Sequence, residues 1–276
     1  MTLSSGTISG TTGNTLTSGS AYDVRSGAVS AILGGSVGLN KTTGGTVTLL
    51  AANTYGGVTT VSEGTLALSG SGRIASSSVI SIASGATLDV TGLFSGLQLA
   101  ANQILKGTGE VTGAVTIGAG GIIAPGNSPG ITTINGNFTL NGIYEAELGG
   151  TIAGDEYDQI LVYGGDVVLG LGSVIKLVPY PLIGGFTPTA GDTFTLIDWD
   201  SGKSFTDLGY TVDTSLFGPS SEWLFSQVGS SFQAQYNGTP PAVPEPSSAA
   251  VSGLALALLA LLKRMRRKKE LRPAVL

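Results

Sequence analysis

The chain has 276 residues, a formal charge of −5, and neither cysteine nor histidine. Those two absences exclude Ser/His/Asp and Cys/His nucleophilic catalysis, zinc centres of the usual His/Cys type, and disulfide stapling. With 44 glycines, 41% hydrophobic and only 11% charged residues, the chain is too apolar for intrinsic disorder. A body of about 240 residues is large enough to bury a core without cross-links.

The first forty residues read as a β-rich but irregular segment. Their opening, Met1-Thr2-Leu3-Ser4-Ser5-Gly6, has no basic n-region and no apolar h-region, so any export signal is expected to be encoded ahead of Met1. From residue 41 to 178 short β-type runs alternate with glycine. Gly45-Thr46-Val47-Thr48-Leu49, Gly64-Thr65-Leu66-Ala67-Leu68 and Gly85-Ala86-Thr87-Leu88-Asp89-Val90 share one form, a turn glycine followed by alternating polar and apolar residues. Their central residues Val47, Leu66 and Leu88 are 19 and 22 positions apart. A repeat near twenty residues holding two or three short strands predicts one coil of a parallel β-helix, with Val, Ile and Leu inside and Thr and Ser outside. The competing expectation is an antiparallel sandwich or barrel, for which Asn135-Gly136 and Asn141-Gly142 supply hairpin signals.

Beyond residue 178 the rhythm weakens at Pro179, Pro181 and Pro188, and both tryptophans, Trp199 and Trp223, follow. Residues 179–236 are expected to be β-structure that closes the open end of the solenoid, whose bare final coil would otherwise expose unpaired backbone groups. Residues 237–246 form a linker ending in Pro244-Glu245-Pro246, which the two prolines keep extended. Residues 247–262 are expected to be one short transmembrane helix. Its apolar part, Ala249 to Leu262, is about 21 Å long as a helix and needs a snorkelling Lys263 to complete a span. The tail, residues 263–276, is basic: Lys263, Arg264, Arg266, Arg267, Lys268 and Lys269 follow the apolar run directly. The positive-inside rule places them in the cytoplasm and everything before Pro244 outside. Upstream of Lys263 the charge is −11, with no basic stripe to neutralise phosphates, so nucleic acid is not an expected partner.

Carboxylates are the only acid/base groups left for chemistry. Glu145 and Glu147 sit two apart in a predicted strand and share a face, as glycosidase pairs do; the plainer reading is a solvent-facing row alternating with Tyr144, Ala146 and Leu148. Asp155, Glu156 and Asp158 lie in a glycine-bounded turn and are weak Ca²⁺ candidates, against the plainer reading of loop-forming residues. No catalytic residue and no cofactor is assigned.

Two stretches resemble known families. Leu39-Asn40-Lys41, Gly45 to Leu49, Ala52-Asn53-Thr54-Tyr55-Gly56-Gly57-Val58-Thr59-Thr60-Val61 and Glu63-Gly64-Thr65-Leu66-Ala67-Leu68 resemble the autotransporter-associated β-strand repeat. Gly107 to Gly113, Ala124 to Gly130 and Tyr157 to Val162 are similar to segments of the same kind of surface protein. This resemblance implies a passenger-type, right-handed parallel β-helix and says nothing of catalysis. Pro244-Glu245-Pro246, the apolar run and the basic tail resemble, in the right order, the PEP-CTERM sorting signal of Gram-negative bacteria. That resemblance implies recognition by an exosortase, a membrane transpeptidase, cleavage near Pro244–Pro246, and delivery from a transient inner-membrane anchor to the cell surface or its polysaccharide matrix. The expectation is therefore a non-enzymatic surface or matrix protein adhering to exopolysaccharide. The alternative is a polysaccharide-active enzyme on a β-helix, working through carboxylates.

Overall fold

The alternation of Val, Ile and Leu with Thr and Ser becomes stacked parallel strands in the computed structural model, which describes residues 1–10, 13–181 and 185–238. The chain winds through three faces. The first stacks Thr2–Leu3, Tyr22–Val24, the start of Leu39–Leu49, the start of Thr59–Ser69, Val79–Ile82, Ile104–Gly107, Ile122–Pro125, Ile143–Leu148, Ser173–Pro179 and Tyr210–Asp213. The second stacks Thr7–Ile8, Gly27–Val29, the ends of the same two long strands, Thr87–Gly92, Glu110–Thr112, Ile131–Asn135, Gln159–Tyr163 and Thr193–Trp199. Because Leu39–Leu49 and Thr59–Ser69 run on from one face into the next, both faces join in a single 19-stranded sheet. A third face carries Leu97–Leu99, Val115–Ile117, Phe138–Leu140, Val167–Leu169 and Phe205–Asp207. All of these pairs are parallel, which is the pattern of a β-solenoid.

Register explains the repeat. Val47 lies beside Leu66, Leu66 beside Leu88, and the ladder continues through Val111, Ile134 and Val162 to Trp199. These side chains are buried, and each contributes roughly 1.5–3 kcal/mol by leaving water. The Asn-Gly pairs do not make hairpins. Gly136, at φ +153°, turns a corner between the second and third faces, and a Cβ there would fall 2.6 Å from the Gly113 backbone one coil below.

Coils extend further than the sequence predicts at both ends. They begin at Thr2 rather than near residue 41, in strands of two or three residues that are too short to show alternation. They also run past residue 178. Thr193–Trp199, Phe205–Asp207 and Tyr210–Asp213 are still parallel rungs, hidden in the sequence because the long loops between them break the rhythm. The closing element is smaller than expected: Ser231–Tyr236 adds antiparallel to Thr193–Trp199, and Trp223–Val228 adds antiparallel to that.

The third face is interrupted between Ile32–Gly34 and Leu97–Leu99, where Ala52 and Arg73 make an isolated bridge. Side-chain amides supply the missing rungs. Asn53 Oδ1 accepts from Leu33 N–H at 2.9 Å while its Nδ2 donates to the Ala51 and Arg73 carbonyls. Gln103 Nε2 donates to the Ile74 and Ser77 carbonyls. Tyr55, Thr59 and Ser77 form a buried hydroxyl chain, with links of 2.7 and 2.9 Å.

Lys41 points inward. It is stacked between Val24 and Val61 in an otherwise apolar ladder and is 0% exposed. Its Nζ donates to the Thr43 carbonyl and, at 2.9 Å, to that of Glu63, so one ammonium closes the corner of two coils. Burial lowers its pKa from the ordinary lysine value. Lys41→Met keeps the aliphatic body and leaves both carbonyls without that donor. The expected cost is about 1–3 kcal/mol, measured as a lower thermal midpoint of the full chain.

Among the described residues no helix is long and apolar enough to cross a membrane. The sorting motif Pro244, Glu245 and Pro246, the apolar run, and Lys263 to Lys269 lie outside the described residues.

Candidate functional site

A groove of about 220 Å³ opens on the outer side of the first face, and the sequence explains why it forms there. Ile122–Pro125 pairs with Ile143–Leu148 only through Ile122 to Ile143 and Ile123 to Tyr144. Pro125 has no N–H to continue the ladder. Gly126, at φ +83°, then turns the chain back onto the coil below, where it exchanges two backbone hydrogen bonds with Gly107. The two strands part, and the space between them is bordered by Lys106, Ala124, the 125–128 loop, Glu145, Glu147 and Val178.

Asp158 spans the split. It is fully buried, and its carboxylate accepts Gly130 N–H at 2.8 Å and Glu147 N–H at 2.9 Å. It therefore fixes the loop, the parted strand and its own turn together. Burial pushes its pKa up to about 8, outweighing the two N–H donors that act the other way. Tyr144 sits beneath, its hydroxyl donating to the Asp158 and Leu196 carbonyls at 3.0 and 3.1 Å.

Glu145 and Glu147 do share the outer face, alternating with buried Tyr144, Ala146 and Leu148. Their surroundings differ. Glu145 is in an ion pair with Lys176 on the neighbouring rung, at 2.7 Å. Glu147 lies beside Val178, and burial, reinforced by the Glu145 charge, raises its pKa. Lys106, which the sequence reading did not single out, faces the same groove and acts in the opposite direction on Glu147.

The three weak Ca²⁺ candidates do not converge. Glu156 Oε2 closes its own turn by accepting Thr151 and Ile152 N–H, Asp158 is occupied with Gly130 and Glu147, and Asp155 is exposed. Among the described residues no three acidic side chains gather as a metal site would require. The acidic spacing in sequence was that of a turn and a clamp; what it lacked was any sign of Gly130, 28 positions away.

Outside the groove, rows of hydroxyls run along the solenoid. Thr46, Thr65 and Thr87 are consecutive partners on the second face, and Thr116 and Thr139 on the third.

The class defined by this geometry is an all-β protein whose parallel strands stack in long sheets as a solenoid. Among known proteins, the chain is 34% identical over 148 residues to the adhesin BmaC autotransporter of Brucella suis biovar 1 (strain 1330). The aligned stretch is 51% of this chain, and the chain spans about 4% of that protein's length. No family model matches the chain.

Proposed function

We propose that the chain is an exported, surface-displayed structural protein whose solenoid, taken as right-handed, acts as an adhesin-like module in contact with exopolysaccharide. The observation that carries this reading is the similarity of half the chain to part of an adhesin autotransporter, together with a body built of parallel coils. The relative is named an adhesin and not an enzyme, which favours the non-enzymatic reading. Stacked hydroxyl rows at the strand spacing of about 4.8 Å offer repeated hydrogen-bonding groups to a linear glycan.

Sorting is the second half of the proposal. Pro244-Glu245-Pro246 presents an extended segment for an exosortase-type transpeptidase, the apolar run Ala249 to Leu262 anchors the chain in the inner membrane until cleavage, and Lys263 to Lys269 hold the end in the cytoplasm. The test is fractionation of the full chain, expressed from its own reading frame in a Gram-negative host carrying an exosortase. The expected product is shortened at its carboxyl end and found at the surface or in the matrix, and Glu245→Ala with Pro246→Ala holds the uncut chain in the inner membrane. Intact polypeptide free in the cytosol overturns the reading.

A further inference from the structure

We infer that the groove beside Ala124 is a binding site for a single neutral pyranose unit of a glycan. This rests on the adhesin-like reading and gives it a specific location.

Shape comes first. Along the outer row of the first face Lys106 is partnered by Ala124, and Glu145 by Lys176. Ala124 is the short side chain in a row of long ones, so a notch lies between the Lys106 rung and the Glu145 rung. Rungs about 4.8 Å apart make the distance across two of them close to 10 Å, which suits a sugar ring with hydroxyls on both sides. The notch persists because the strands have parted at Pro125 and Asp158 holds them apart.

The lining is that of a neutral polar ligand. Ala124 and Val178 offer apolar surface to a ring face, while Lys106 at one end donates and the Glu147 carboxylate at the other accepts. The ladder would have carried Glu147 N–H to the Pro125 carbonyl. Asp158 takes that N–H instead, which leaves the Pro125 carbonyl without that donor, and Pro125 and Ser128 both line the groove. Charges cancel locally: Lys106 stands against Glu147 and Lys176 against Glu145, and the raised pKa of Asp158 keeps it protonated below about pH 8. A uronate would find both ammonium groups already matched by carboxylates, and a divalent cation would find no three-oxygen cage.

The full chain is titrated by calorimetry and saturation-transfer NMR with methyl glucoside, methyl galactoside and methyl mannoside, and in parallel with methyl glucuronide and glucosamine. At least one neutral glycoside is expected to saturate. Ala124→Leu, which fills the notch, is expected to weaken it by about tenfold or more, a change of about 1.4 kcal/mol. Glu147→Gln, which leaves the shape intact and guards against misfolding of the first variant, is expected to weaken it severalfold, and Gln227→Ala, exposed on the strand Trp223–Val228 away from the groove and the hydroxyl rows, to leave it unchanged. The inference is overturned if no neutral glycoside saturates, if both groove variants bind like the parent, or if the charged sugars bind as tightly as the neutral ones. Groove variants leave export and location unchanged, so failure here is separable from failure of the sorting experiment.

Discussion

Asp158→Ala is expected to destabilise the protein by about 3–5 kcal/mol, because two buried N–H groups, those of Gly130 and Glu147, lose their acceptor together. Asp158→Asn separates charge from hydrogen bonding. An amide has one oxygen for two donors, so one of the N–H groups must face an NH₂, and a smaller loss of about 1–3 kcal/mol is expected near neutral pH. The pH dependence gives a second signature. The folded pKa of about 8 lies above the ordinary aspartate value of 3.8, so the folded state holds a proton that the unfolded chain has released. Stability from this group is fully present below about pH 4 and is lost as pH rises through 8. Glu147, also raised, acts in the same direction. Asp23, Asp166 and Asp213 are lowered by hydrogen bonds to neighbouring hydroxyl and backbone groups, so their contributions are lost only in acid, as pH falls through their folded values. Thermal midpoints between pH 5 and 9 are therefore expected to fall for the parent and to flatten for Asp158→Asn. A parent curve that stays flat over that interval would show that the two N–H donors, and not burial, decide the charge state.

How far the sequence foretold this structure depends on how local the cause was. Val47, Leu66 and Leu88 were recognisable as one ladder because each coil repeats a glycine corner and an alternating strand at nearly constant spacing. The antiparallel alternative failed at Asn135-Gly136, since the turn that favours a hairpin also serves a solenoid corner when the next strand has a partner in the coil below. Lys41, Asn53 and Tyr55 stood in the stretch that resembles the passenger repeat, yet pattern alone assigns a lysine and an asparagine to the surface. They are buried because each meets polar partners inside: Asn53 stands in for rungs where the third face has no strands, Lys41 ties two corner carbonyls, and the Tyr55 hydroxyl pairs with that of Thr59. Glu145 and Glu147 were placed on one face by simple alternation. Lys106 and Ala124, which make that face a groove, were not, because they come from two other coils and only the register brings them together. The outer coils of the solenoid were illegible for the opposite reasons of brevity and length. Its first strands hold two or three residues, and its last coils are interrupted by long loops, Val167 meeting Phe205 across 38 positions.

Those last coils set the second large effect. Phe232, on the antiparallel closing strand, is buried among Phe205, Tyr210 and Phe225, with ring centroids 5.9, 5.2 and 6.3 Å away. Phe232→Ala removes the ring that ties the closing strand to the first and third faces at once, and about 3–5 kcal/mol is expected to be lost. In a solenoid each coil contacts only its neighbours, so this loss should stay at one end. Hydrogen exchange is expected to show lost protection in residues 193–236 and unchanged protection in residues 39–90. With the closing strand loosened, Thr193–Trp199 presents an open edge of unpaired N–H and C=O groups, and concentration-dependent association should accompany the local opening. Uniform loss of protection along the whole chain would instead mean that the coils unfold as one cooperative unit, and that the closing strands stabilise all of it.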